Sequence, residues 1–531
     1  MNPYEKLKAF ERWAAGPKKT AFLSALIIGG FAHILLLVHG MISPDGLYNS
    51  VLYSAGPWEA SLGRWGINYV DSLRMDRAPQ VLVEITCILL AAVAAFLVAA
   101  VFDFKHHISA ILTAAVIQLS PALASTMLYQ YTADAYVLSF VFAVLAALIM
   151  TKSSLKNRMI TITSILSSAV LCTFSLAMYQ NYFGIFVGFC IAYDLFLLLF
   201  RDDLPVKKVL IRLLFQVLSA VIALGLYFVI SKAEQSRFQV GTANYQGSDQ
   251  VGVIHSLFSL PQSIAGSYKA MAKYYLGDSI VYNRAWHRPL IFLIFFAAVL
   301  AVAVVLLLKK KYHRTPKRFI LILVLTFLLV PGLNLILMMV PGCQLYSLNS
   351  MQMAMLLPVL FSFLEQAEVG KWNAIRTAAL VTASVLMFTW FASTEFSWQY
   401  MSQTFRQAEA VSERIIDRVE STEGYNKDMP VLLAGIVDEN LYSRDNAYVD
   451  HTWGELFLTP VSHGTLQISQ ESWRKFLLGY LGMNLNFCTP PQQEAVVSSE
   501  RFQQMGVWPA ADSVAVIDGI MVVKLNPDPP R

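Results

Sequence analysis

Residues 41–79 read MISPDGLYNSVLYSAGPWEASLGRWGINYVDSLRMDRAP, a polar and aromatic stretch between two apolar runs. It holds Asp45, Glu59, Arg64, Asp71, Arg74, Asp76 and Arg77, interleaved with Trp58, Trp65 and Tyr69. Before it, residues 20–40 are apolar and follow a tail carrying Lys6, Lys8, Arg12, Lys18 and Lys19. After it, residues 80–101 are apolar. Each flank is long enough to cross a hydrocarbon core, which takes about 20 helical residues. A charged segment framed in this way is a loop held at a membrane surface, and that reading decides the fold class.

The composition agrees. Of 531 residues, 56% are hydrophobic and only 14% charged, where a soluble domain carries roughly 25%. The mean hydropathy is +0.53. The chain therefore reads as an all-α polytopic membrane protein. Its net charge of +5 suits the cytoplasmic loops of such a protein better than a nucleic-acid surface, so no nucleic-acid partner is expected. The cysteines Cys87, Cys172, Cys190, Cys343 and Cys488 form no CxxC or Cys/His cluster, which supports neither a zinc site nor a disulfide framework. The first apolar run is too long for the core of a cleavable leader and reads as a retained span.

Further spans are expected at about 108–128, 137–151, 159–177, 183–200, 209–230, 289–308, 319–340, 351–364 and 377–392. The basic clusters at 6–19, 156–158, 207–212 and 309–318 then all fall on one side, as positive-inside bias requires, and this fixes an odd count of about eleven. The N-terminus is expected in the cytoplasm of a bacterial inner membrane. Loops 41–79 and 231–288 and the tail are expected outside. Residues 1–392 form the membrane domain. Residues 393–531 form a small extracytoplasmic α/β domain, with an amphipathic helix over 396–422 and strands over 429–437 and 513–525, the last broken by Asp518-Gly519 as in a hairpin.

Candidate site residues lie in the outer loops. Asp45, in a PDG turn just after the first span, reads either as a general base for a substrate hydroxyl or as a turn aspartate. Residues 58–77 resemble a helix lying along the interface. Arg64, Arg74 and Arg77 in it can bind a lipid phosphate through paired hydrogen bonds or can snorkel to ordinary headgroups. Asp134, at the start of the fourth span, reads as a functional carboxylate or as a helix-start aspartate. Tyr129, Gln130, Tyr179, Gln180 and Asn181 suit carbohydrate hydroxyls and ring faces, or an aromatic belt. Lys269, Lys273, Arg284, His287 and Arg288 form an outer cationic cluster that a phosphate-bearing ligand or anionic lipid would explain. His33 and His39 suit proton relay or helix packing. Asp202-Asp203 reads as a solvated inner loop. Asp450, His451 and Glu455 lack a recognisable ligand spacing, so no metal and no cofactor is suggested.

These residues resemble those of the Gtr type II glucosyltransferases, membrane enzymes that convert serotype by modifying bacterial surface polysaccharides. The likeness rests on the acid after the first span (Asp45), the aromatic segment with Gly63-Arg64, the outer Asp134, and the terminal WPAADSVAVIDGIMVVKL at 508–525. The departure is at Pro44-Asp45-Gly46, where many relatives carry two adjacent acids. The remaining carboxylate works alone or shares the work with Asp71, Asp76 or Asp134. The resemblance implies a GT-C architecture and a polyprenyl-phosphate-linked sugar donor, which needs no nucleotide site. The combined expectation is an outward-facing, inverting glycosyltransferase acting on a surface glycan. Asp45 is its base, and Arg64 and the 269–288 cations hold the departing lipid phosphate. The rival is a transporter or flippase of a lipid-linked glycan, which would need polar residues at mid-membrane depth.

Overall fold

The computed structural model describes residues 11–41, 46, 49, 53–154, 157–245, 253–277, 287–340, 343, 345–368, 370–435, 437 and 466–527. In chain order the helices are α1 (Pro17–Ala32), α2 (Ile34–His39), α3 (Pro57–Ser61), α4 (Gly66–Leu73), α5 (Gln80–Val101), α6 (His107–Leu119), α7 (Pro121–Met127), α8 (Ala133–Lys152), α9 (Arg158–Met178) and α10 (Phe183–Phe200). They continue with α11 (Val206–Arg237), α12 (Val253–Leu276), α13 (His287–Lys310), α14 (Pro316–Leu333), α15 (Leu335–Met339), α16 (Met351–Ala354), α17 (Leu356–Gln366) and α18 (Asn373–Ser421).

Among the described residues, eight helices are long and apolar enough to cross a membrane, or nine if the pair α6–α7, bent by 43°, is one span. This is a multi-pass helical membrane protein. Four of the expected spans are interrupted, the third by the α6–α7 bend and the ninth at Asn334, between α14 and α15. The first breaks at His33 into α1 and α2. There the His33 ring packs between elements: Nε2 lies 2.9 Å from the Gln118 carbonyl, and Nδ1 accepts from Trp398 Nε1 at 3.2 Å. The tenth falls on the short helices α16 and α17. The α6–α7 bend has a local cause. Pro121 forces Ser120 into an extended conformation (ψ 139°), and the Ser120 hydroxyl then caps α7 by accepting from Leu123 N.

In the bundle, α8 packs on α5 and α9, α1 on α5 and α6, α10 on α14, α11 on α9, and α13 on α18. Its two ends differ in chemistry. At one end are the ion pairs Lys152–Asp103 and Lys310–Asp202, and Arg318 donates to the carbonyls of Leu198, Arg201 and Asp202. The 53–77 loop, the α7–α8 and α9–α10 connections and the C-terminal end of α11 meet at the other.

The amphipathic helix expected over 396–422 is not a separate element. It is the second half of α18, which runs unbroken for 49 residues, or about 74 Å at 1.5 Å per residue. A hydrocarbon core takes up only about 30 Å of that length. Its polar half carries the tail: Arg414 and Arg418 lie over the Trp508 ring, and Arg418 donates to the Ala510 carbonyl at 3.0 Å. The tail contains a three-stranded sheet in the order β1 (Val431–Ala434), β3 (Ile520–Lys524), β2 (Val514–Ile517). β1 pairs with β3 in parallel, and β2 and β3 form an antiparallel hairpin. Asp518 (φ 49°) and Gly519 (φ 77°) make the turn, the left-handed pair that a two-residue hairpin needs.

Candidate functional site

The 53–77 loop is two short helices rather than the single interfacial helix expected. Pro57 opens α3, and the Glu59 carboxylate reaches back to accept from Gly56 N, just before the first turn, at 2.8 Å. Gly63 (φ 72°) ends it: Gly63 N bonds Ala60 O and Arg64 N bonds Glu59 O, the paired bonds of a left-handed glycine stop. A Cβ at Gly63 would run into the Tyr227 hydroxyl on α11. Trp65 Nε1 donates to Ser231 Oγ at 3.1 Å, which seats α4 against α11.

Ion pairing fastens the loop to α8. Asp71 is fully buried and accepts from Ala55 N at 2.7 Å, while Asn68 Nδ2 donates to the Ala55 carbonyl. Arg74 Nη2 donates to Asp71, and Arg74 Nε lies 3.1 Å from Asp134 Oδ2. The same guanidinium donates to the carbonyls of Tyr131 and Arg77. One cation thus serves two buried carboxylates, leaving the group one negative charge in excess. Burial pushes the Asp71 carboxyl up to about 7, against the pull of the Ala55 N–H and Arg74. Arg74 therefore does not snorkel to headgroups, and the Asp134 carboxylate is engaged within the fold.

Beside this clamp lies a cavity of about 470 Å³ lined by Tyr53, Trp58, Glu59, Arg64, Tyr131 and Tyr136, among others. Tyr53 donates to Glu59, and burial together with that bond raises the Tyr53 phenol, so it keeps its proton. Arg64 Nη1 donates to the Tyr136 hydroxyl at 2.9 Å, and its guanidinium lies over the Tyr136 and Tyr179 rings. Those rings stack at 4.2 Å. No carboxylate pairs with Arg64 among the described residues. Aromatic faces, a carboxylate and a cation without an acidic partner suit a ligand with both hydroxyl groups and an anionic group.

The other expected site residues are dispersed. Gln180 Nε2 donates to Leu62 O and to Tyr227, which supports the turn that presents Arg64. Asn181 donates to Gln352, and Gln130 points to the Met41 carbonyl. The Tyr129 ring lies 6.5 Å from that of Tyr131. Arg77 is exposed. Asp45 and Arg284, with Asp450, His451 and Glu455, lie outside the described residues, as does the side chain of His287.

The three described members of the cationic cluster sit in different surroundings. Lys269 and Lys273 are exposed on α12, whereas Arg288 is 2% exposed. Arg288 lies over Phe292 and Trp390, and none of its three nitrogens has a hydrogen-bond partner among the described residues. A desolvated cation–π contact is worth about 2 kcal/mol. Stripping water from a charge costs several kcal/mol even after relaxation, so the two rings do not fully offset its burial. Sequence reasoning overlooked Glu59, Tyr53 and Tyr136. An acid in the first turn after the Gly56-Pro57 helix start was the one local signal for the first of these.

Comparison with known proteins gives one family. The model of the family described as "Glucosyl transferase GtrII" matches residues 35–363. No curated protein and no solved structure matches the chain. The matched region spans the 53–77 loop, the cavity beside it and the helices from α5 through α16, and the chain belongs to the GtrII glucosyltransferase family, as a multi-pass membrane glycosyltransferase.

Proposed function

We propose that the protein moves a hexose from a polyprenyl phosphate to a cell-surface glycan, at the outer face of a bacterial inner membrane, with its N-terminus cytoplasmic and its tail domain outside. The observation that carries this reading is Arg64, whose guanidinium lines an aromatic cavity with no acidic partner among the described residues, while Arg74 in the same loop is ion-paired with Asp71 and Asp134. In this reading a hydroxyl of the glycan attacks the anomeric carbon from the face opposite the phosphate. The bond from that carbon to the phosphate oxygen breaks, and the oxygen leaves with the electron pair. Arg64 stabilises the charge that develops on it, and Asp45 takes the hydroxyl proton. Inversion follows from the direction of attack. No metal has a part in the scheme.

The test uses purified protein with a panel of polyprenyl-phosphate hexoses and glycan acceptors. Transfer of one hexose supports an enzyme, and movement of intact lipid-linked glycan without transfer supports a carrier. Arg64→Lys keeps the charge but loses the planar fork, so donor affinity and initial rate should both fall. Arg77→Lys, at an exposed position, should leave both unchanged. Equal, small effects at the two positions would remove Arg64 from the reaction.

A further inference from the structure

The Arg288 region holds hydrogen-bond donors that lack acceptors among the described residues. The Tyr274 hydroxyl and Trp390 Nε1 are also buried and without partners among the described residues, and the Tyr274 and Trp390 rings meet edge to face at 6.3 Å. Arg288 lies over the Trp390 ring, with its guanidinium carbon 6.0 Å from the centroid. Three donor side chains from α12, α13 and α18 thus gather in one place. The neighbouring Tyr275 is different, because its hydroxyl donates to the Met353 carbonyl at 2.7 Å. Arg288 and Trp390 can only donate and the Tyr274 hydroxyl can donate too, so a site with no acceptor for them among the described residues suits a ligand rich in acceptors, and the fixed positive charge favours an anion.

Depth and surroundings narrow the class. Arg288 is the second residue of α13 and opens the apolar span Arg288–Lys310, so it sits at headgroup level, at the opposite end of the helix from Lys310 and its partner Asp202. The first-turn N–H groups of α13 add positive potential there. Leu290, Leu293 and Ile294 are about half exposed on the same helix, which leaves an apolar face along which an acyl or prenyl chain can lie. The exposed Lys269 and Lys273, on the turns of α12 before Tyr274, supply attraction for anionic lipid. Arg64 has a different set of aromatic neighbours, Tyr136 and Tyr179.

We infer that Arg288, Tyr274 and Trp390 form a buried receptor for the phosphate group of a lipid headgroup, separate from the Arg64 cavity. The inference does not depend on the transfer reaction.

The experiment measures thermal unfolding of the full chain in neutral detergent. The probes are inorganic phosphate, phosphatidylglycerol, polyprenyl phosphate and uncharged polyprenol. Phosphatidylglycerol or polyprenyl phosphate should raise Tm, and polyprenol should not. A rise with inorganic phosphate as well would show that the phosphate group suffices. A rise with the lipids alone would show that the chain contributes, and both results support the receptor. Arg288→Met should raise the Tm of the lipid-free protein, since it removes a buried unpaired charge, and should abolish the lipid-dependent shift. Tyr274→Phe keeps the ring and should reduce the shift, which provides a readout if Arg288→Met fails to fold. The proposal falls if no phosphate probe shifts wild-type Tm, or if Arg288→Met or Tyr274→Phe keeps the full shift. If the Tm shift appears but no sugar is transferred, the receptor stands and the transferase scheme fails separately.

Discussion

Removing Arg74 should undock the 53–77 loop. Its guanidinium donates to Asp71 and to the carbonyls of Tyr131 and Arg77 and is ion-paired with Asp134. Arg74→Gln would leave two buried carboxylates facing each other. Breaking a buried pair by removing one partner costs about 3–5 kcal/mol, and each lost bond to a carbonyl adds about 1 kcal/mol. Proton uptake offsets part of this. Asp71 already takes a proton at about 7, so at pH 5 the variant can hold one carboxyl neutral. We expect a loss of about 4 kcal/mol at pH 8, equal to roughly a thousandfold in an equilibrium, and a clearly smaller loss at pH 5. The assay is hydrogen exchange in detergent, read at the Ala55 amide, which bonds Asp71 in the native loop. Protection there should fall about a thousandfold at pH 8, while the exposed Arg77→Gln changes it little, as surface charges are worth about 0–1 kcal/mol. A less than tenfold change in Arg74→Gln, or the same change at both pH values, would refute the clamp.

Three further outcomes follow from the geometry. Because the Asp71 carboxyl is raised, the folded loop holds a proton that the unfolded chain releases near its ordinary value. Loop stability should therefore be fullest in acid, decline as pH rises from about 4 to about 7, and then level off; Asp71→Asn should remove that slope in a proteolysis or exchange assay. Gly63→Ala should lower turnover while the helical content by circular dichroism stays unchanged, since it disturbs only the left-handed stop and the Tyr227 contact that set Arg64; wild-type turnover would refute this. Asp45→Asn should keep donor binding but lose about 10²–10⁴-fold in rate, and near-normal turnover would move the base to another carboxylate such as Glu59.

The fold class was legible in the sequence because membrane insertion is decided locally. A run of about 20 apolar residues satisfies its own backbone as a helix wherever it sits, so α5, α8 and α13 could be placed without knowing their neighbours. The Asp518-Gly519 hairpin was legible for the same reason, since φ > 0 at two adjacent positions is a property of those two residues. The partnerships were not legible. Residues 58–77 carry three arginines in one polar segment, yet Arg64 faces a cavity, Arg74 is buried between two carboxylates and Arg77 is exposed. Their fates depend on Tyr136 and Asp134, supplied by α8 from more than fifty residues further along the chain. The 269–288 cations read as one cluster, but its described members are two exposed lysines and a buried arginine over the Trp390 ring of α18. Composition and periodicity record what each segment prefers as a solvent. Whether a charge is paired, buried or open to a ligand depends on which distant element packs against it, and only the tertiary structure decides that.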